Sequence, residues 1–236
     1  MVWGIQILIL ILSLLSVVAC DGGGSLTLQN STEDGRVGIP GDVFKPQALL
    51  WESVNPEGVF WSAAVYGAIG GSREVTEQLL PGADDVESFC PKYFLLSDQQ
   101  RMNFWGYLIS AIAMHESGFN PLARASKGRA VADEVTGQEL FPEGLLQVSY
   151  QDSKRYQGCR FAWEKDKNLH PLDARKTTLN PLINLQCGVH ILAKQVQSRK
   201  RIALKNNGYW PVLEEGGSRE RLAEISAATQ ALPFCR

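Results

Sequence analysis

The chain has 236 residues, with 23 Lys and Arg against 25 Asp and Glu and a formal charge of −2. Near neutrality, and the lack of any dense basic patch, argue against a nucleic-acid partner. A hydrophobic content of 44% supplies enough apolar surface for a globular core and excludes a disordered chain.

Residues 1–19 carry no charged side chain, and Ile7 to Ala19 is apolar apart from Ser13 and Ser16. The run is too short and too early for a membrane span and reads as the apolar region of a signal peptide. No basic residue precedes it, so only the amino terminus supplies the usual positive charge. Ser16-Val17-Val18-Ala19-Cys20 resembles a bacterial lipoprotein signal, which implies cleavage before Cys20 and a lipid on its thiol. Asp21-Gly22-Gly23-Gly24-Ser25 follows, and residues 20–41 read as the lipidated cysteine and a flexible linker. Residues 42–236 then form one folded domain, of a length that suits a single core. The chain is expected to be exported and held by its lipid at the inner or the outer membrane.

Within residues 57–96, Trp61, Tyr66 and the Gly70-Gly71 pair suggest short helices joined by turns. Ser97-Asp98-Gln99-Gln100 has the spacing of a capping box and opens a helix that runs to about Ser117. Phe104, Trp105, Leu108, Ile109 and Ile112 recur along it at three- and four-residue steps. Residues 129–139 are acidic and read as a solvated loop. Asn180-Pro181 supplies a cap and an N1 proline for a second long helix, with Leu182, Leu185, Val189, Leu192 and Val196 as its buried stripe. Arg199-Lys200-Arg201 falls at its end, where cations favour the helix dipole. A third helix is expected over residues 218–231, with Leu222 and Ile225 inward. Nothing alternates usefully with period two, so the fold class is mainly α without a large sheet.

Glu116 ends the first long helix on the face of Ile112, Leu108 and Trp105. Desolvation pushes the pKa of a carboxyl shielded there upward, the environment of a general acid near neutral pH. The competing reading is a helix-end glutamate that reaches into solvent. His115-Glu116 is no metalloprotease motif, because the position that would need a second His is Phe119.

Glu116-Ser117-Gly118-Phe119-Asn120-Pro121-Leu122-Ala123-Arg124-Ala125-Ser126 is followed by Gly144-Leu145-Leu146-Gln147 and then by Asn180 to Leu192. In that order, the stretch from 97 to 196 resembles the SLT-type lytic transglycosylases. The resemblance implies a lysozyme-like fold and cleavage of the MurNAc–GlcNAc β-1,4 bond of peptidoglycan glycan strands, with no cofactor and no metal. It further implies one carboxylate, Glu116, which first protonates the leaving oxygen. As carboxylate it then takes the proton of the muramyl 6-hydroxyl, which closes a 1,6-anhydro ring without consuming water.

Other roles carry over by position. Ser117 would hydrogen-bond near the scissile sugar or orient Glu116, unless it merely closes the last helical turn. Gln147 would line the saccharide cleft, its amide both donating and accepting. Gly144 would let the backbone pass close to the sugar. The family's late Ala-Tyr-Asn-Ala-Gly motif is missing, and Tyr209 in Asn206-Asn207-Gly208-Tyr209-Trp210 is the nearest substitute, ahead of Tyr150 and Tyr156. The insertion over 129–139 also departs from the family spacing. Its Asp133, Glu134 and Glu139 leave open a hydrolytic muramidase that uses a second carboxylate. A non-catalytic peptidoglycan-binding lipoprotein is the remaining alternative.

Apart from Cys20, the chain carries Cys90, Cys159, Cys187 and Cys235. Sequence alone does not choose among their three pairings; Cys159 with Cys187 and Cys90 with Cys235 are preferred. A zinc site built on Cys159, His170, Cys187 and His190 fits no common ligand spacing.

Overall fold

The computed structural model describes residues 44–236. The signal peptide, Cys20 and the linker expected above lie outside the described residues. Helix α1 (Gly58–Gly70) ends at the Gly70-Gly71 pair, and α2 (Arg73–Leu79) starts at once, with Ser72 as its cap. Two single-turn 3-10 helices, Val86–Ser88 and Tyr93–Leu95, lead into α3 (Asp98–Ser117). The expected capping box opens α3: Gln100 N donates to Ser97 Oγ at 3.4 Å, and Ser97 N donates to Gln100 Oε1 at 2.9 Å.

Helix α3 is the central helix. Phe104, Trp105, Leu108, Ile109 and Ile112 are buried, and so are Ser110, Ala111 and Ala113 on its other faces. A helix surrounded on most sides shows little one-sided apolar pattern, as α3 does. It packs against α1 and against α7 (Leu222–Gln230), while α6 (Pro181–Arg199) packs across α1 and α2.

Asn180 Oδ1 caps α6 by accepting from Leu182 N at 3.0 Å and Ile183 N at 3.2 Å. The stripe predicted for this helix holds from Leu185 onward, but Leu182 is 41% exposed. The core begins at Asn184 and Leu185, so the first turn of α6 stands outside it. Helix α7 starts at Leu222, four residues later than expected, because the preceding chain is committed to a turn. Gly216 N donates to the Glu220 carboxylate at 2.6 Å, and Glu220 N donates to Gly217 O at 3.1 Å. Ile225 is buried as predicted, and Leu222 is half-buried.

The insertion is not a bare loop. It forms an antiparallel ribbon, β1 (Arg129–Ala132) with β2 (Glu139–Leu140), in register Arg129 to Leu140 and Ala132 to Glu139. Asp133, expected in solvent, is buried and builds the turn: it accepts from Val135 N at 2.8 Å, Thr136 N at 3.1 Å and Gln151 N at 2.9 Å. Two short helices, α4 (Asp152–Arg155) and α5 (Trp163–Asp166), connect the ribbon to α6.

Disulfides join Cys90 to Cys235 and Cys159 to Cys187, the preferred pairing. The first fastens the end of the chain to the segment before α3, and the second ties the segment after α4 to α6. Cys159 and Cys187 are thereby unavailable as zinc ligands. Among the described residues no helix is long and apolar enough to cross a membrane.

Candidate active site

Glu116 lies one turn beyond the fully buried Ile112, and its own side chain is only 1% exposed. Helix α3 ends immediately after it because two consecutive residues turn left-handed, Gly118 at φ 60° and Phe119 at φ 63°. Phenylalanine is rare there, and its ring is held edge-on to Trp51 at 6.2 Å between centroids. Asn120 Oδ1 then accepts from Leu122 N at 3.0 Å, so Asn120-Pro121 turns the chain away from the helix axis.

Glu116 opens on a cleft of about 190 Å³, shared with Gln147, Tyr209, Trp210, Lys127 and Arg219. Gln147 adopts φ 50°, a second non-glycine residue in left-handed backbone, and its Nε2 donates to Gly144 O at 2.9 Å. Strained backbone of this kind persists only where the surroundings over-determine it, and it clusters at functional sites. The surroundings here are explicit. Trp210 Nε1 donates to Leu146 O at 2.9 Å, and Leu146 N donates to Asn184 Oδ1 at 2.9 Å.

Tyr209 donates its hydroxyl to Asp152 Oδ2 at 2.5 Å. Asp152 is buried in the first turn of α4 and also accepts from Ser149 N at 2.7 Å and Ser149 Oγ at 3.1 Å. Burial raises its pKa above 3.8, against the Tyr209 bond, which lowers it. Tyr156 packs edge-on to Tyr209 at 6.2 Å between centroids, so an aromatic and a carboxylate fix the Tyr209 ring from two sides. In the same cleft, Arg219 places Nη2 2.9 Å from Glu116 Oε2.

The family model of the transglycosylase SLT domain matches residues 95–209. Three solved structures of Bd0314 DslA are similar over the chain. The wild type is 31% identical, with 80% of this chain and 97% of that one covered at a TM-score of 0.64. Two variants, each with one glutamate changed to glutamine, are 28% and 29% identical. They cover 82% of this chain and 100% of theirs, at TM-scores of 0.67 and 0.65. The chain belongs to the SLT transglycosylase domain family.

No curated protein matches the chain. Membership of the SLT family marks it as a lysozyme-like, peptidoglycan-acting enzyme of the lytic-transglycosylase type. SLT domains act on peptidoglycan in the periplasm, and the two disulfides accord with an exported chain.

Within this SLT domain the predicted site residues divide. Glu116, Gln147 and Tyr209 line one cleft. Ser117 is turned back on its own helix, its Oγ donating to Ala113 O at 3.0 Å. Gly144 is buried with φ 74°, and a Cβ there would meet the Asn184 amide and lie 2.7 Å from Thr178 O. Its smallness serves packing against α6. Tyr150 donates to Asp166 at 3.0 Å beside a different cavity.

The three acidic candidates of the insertion do not line the Glu116 cleft. Asp133 holds the ribbon turn, Glu134 pairs with Arg155, and Glu139 borders the separate cavity beside Tyr150.

Three residues of the site region were not singled out from sequence. Neither Asp152 nor Arg219 carries a local sequence pattern that marks it. Glu143, immediately before Gly144, is buried. It accepts from Lys176 Nζ at 2.6 Å, Thr178 Oγ1 at 2.5 Å and Arg124 Nε at 2.9 Å. A glutamate beside a motif glycine is the signal that could have marked it.

Proposed function

We propose that the protein is a lytic transglycosylase that cleaves the MurNAc–GlcNAc β-1,4 bond and leaves 1,6-anhydromuramyl ends, with Glu116 as its general acid and base. One observation carries this reading: a nearly fully buried carboxylate at the end of the central helix opens on a cleft walled by Gln147, Tyr209 and Trp210. In the first step Glu116 gives its proton to the glycosidic oxygen as the bond to the anomeric carbon breaks. In the second, the Glu116 carboxylate takes the proton of the muramyl C6 hydroxyl, whose oxygen bonds to the anomeric carbon. Glu116 ends protonated, and no water enters.

Gln147 offers an amide to the sugar hydroxyls and acetamides, and Tyr209, oriented by Asp152, presents a rigid ring to the same cleft. The absence of Asp133, Glu134 and Glu139 from the cleft lining favours this single-carboxylate chemistry over hydrolysis by a second acid. Lipidation at Cys20, after removal of residues 1–19, would keep the enzyme at a membrane while residues 20–41 let it reach the wall. The test is release of soluble glycan from insoluble peptidoglycan by the lipid-free chain. Wild type is expected to release it and Glu116→Gln to lose at least about a hundredfold of the rate. Equal release by the variant would remove Glu116 from the chemistry.

A further inference from the structure

Arg219 is a cation laid against the one carboxylate of the cleft, and the proposed first step needs that carboxylate protonated. A guanidinium at 2.9 Å favours the charged form, while burial favours the neutral one. The ion pair therefore works against the protonation that this step needs, and a second anion that drew the guanidinium away would lift that opposition. Arg219 is well placed to change partner, because its own side chain is 54% exposed while that of Glu116 is 1% exposed.

Its backbone is fixed on both sides. Gly217 N donates to Glu214 O at 3.0 Å, and Arg221 N donates to Val212 O at 2.9 Å, so the turn that carries Arg219 is part of the fold. Lys127, exposed on the same cleft, adds a second cation. The remaining lining residues are uncharged, so the cleft carries two cations against one anion in a chain whose formal charge is −2. Arg219 also lies ten positions beyond residue 209, where the family match ends.

We propose that Arg219, with Lys127, forms an anion subsite that takes a carboxylate borne by the muramyl C3 substituent, and that binding it draws the guanidinium off Glu116. The carboxylate is that of the free lactyl ether on bare strands, or of the stem peptide on substituted ones. Either way the substrate's own charge releases the catalytic acid. A neutral glycan of the same backbone does not. The subsite is specificity-determining, and it rests on the reading of the cleft as a peptidoglycan site.

The experiment measures calorimetric affinity for GlcNAc–MurNAc oligomers in two forms, with lactyl carboxylates free or converted to amides. Wild type is compared with Arg219→Gln and Lys127→Gln, and a third ligand carries stem peptides. Wild type should bind the free-carboxylate form about tenfold or more tightly than the amide, the value of one charged hydrogen bond. In Arg219→Gln the two forms should bind within about twofold, with a smaller loss of discrimination in Lys127→Gln. A preference retained only for peptide-bearing strands assigns the subsite to the stem carboxylate. Equal wild-type affinity for all three ligands, or discrimination intact in Arg219→Gln, overturns the proposal. Turnover is read separately: discrimination without glycan cleavage leaves the subsite standing and removes the transglycosylase reading instead.

Discussion

Asn184 on α6 and Gly144 on the loop after the ribbon occupy each other's space. The Asn184 amide accepts from Leu146 N at 2.9 Å and donates to Glu143 O at 3.0 Å and Thr178 O at 2.8 Å, and a Cβ at 144 would run into that amide and into Thr178 O. One buried side chain thus satisfies three backbone groups and sets the path that delivers Gln147 to the cleft. Gly144→Ala combines a steric clash with a left-handed φ of 74° and is expected to destabilise by more than about 2 kcal/mol. Asn184→Ala leaves Leu146 N and Thr178 O unpaired, at about 1–3 kcal/mol each, while Glu143 O keeps its bond from Val148 N at 3.0 Å. Chemical denaturation of both variants checks this; near-wild-type midpoints would contradict the clamp.

The Glu143–Lys176 pair lies directly beneath the same loop, with both side chains at most 6% exposed. Removing one partner of such a pair strands a buried charge, whereas removing both does not. Glu143→Leu alone should cost about 3–5 kcal/mol, and Glu143→Leu with Lys176→Leu should recover most of it. A double variant as unstable as the single one would show that the pair is needed for more than charge balance.

Asp152 gives the acid side of the stability profile a definite sign. Burial raises its folded pKa above 3.8, so the folded state keeps its proton to higher pH than the unfolded state does. Its contribution to stability is therefore full below 3.8 and is lost as pH rises through the raised value. Asp152→Asn removes that dependence. Relative to wild type, the variant should be more stable at pH 7 than at pH 4 by denaturation. The opposite ordering would mean that the Tyr209 and Ser149 bonds outweigh desolvation.

The two disulfides should contribute unequally. Cys90–Cys235 spans 145 residues and Cys159–Cys187 spans 28, which in the loop-closure picture correspond to about 5 and about 3.5 kcal/mol. Replacing each pair by alanines should lower the unfolding midpoint more for the first than for the second. The reverse order would locate the benefit of Cys159–Cys187 in the native state, where it ties the segment after α4 to α6.

Parts of the site determined by short stretches of chain were legible. The Ser97 box, the end of α3 at Gly118 and the Asn180-Pro181 cap are local chemistry, and each set an element within a residue or so of where it lies. Glu116 was readable because helical spacing ties it to Ile112. Partnerships across long separations were not. Arg219 meets Glu116 from 103 residues away, and Asp152 meets Tyr209 from 57, with no sequence pattern that anticipates either. Gly144 illustrates a third case: its need for a missing Cβ was readable, but the object filling that space, Asn184, was not. Leu182 was misplaced because an apolar period says which face points inward, not where along the helix the core begins.

The most direct test of the central claim is mass spectrometry of the products released from purified peptidoglycan by the lipid-free chain, with Glu116→Gln alongside. Wild type is expected to leave 1,6-anhydromuramyl ends and the variant none. Reducing muramyl ends, or anhydro products that persist in Glu116→Gln, would contradict that claim.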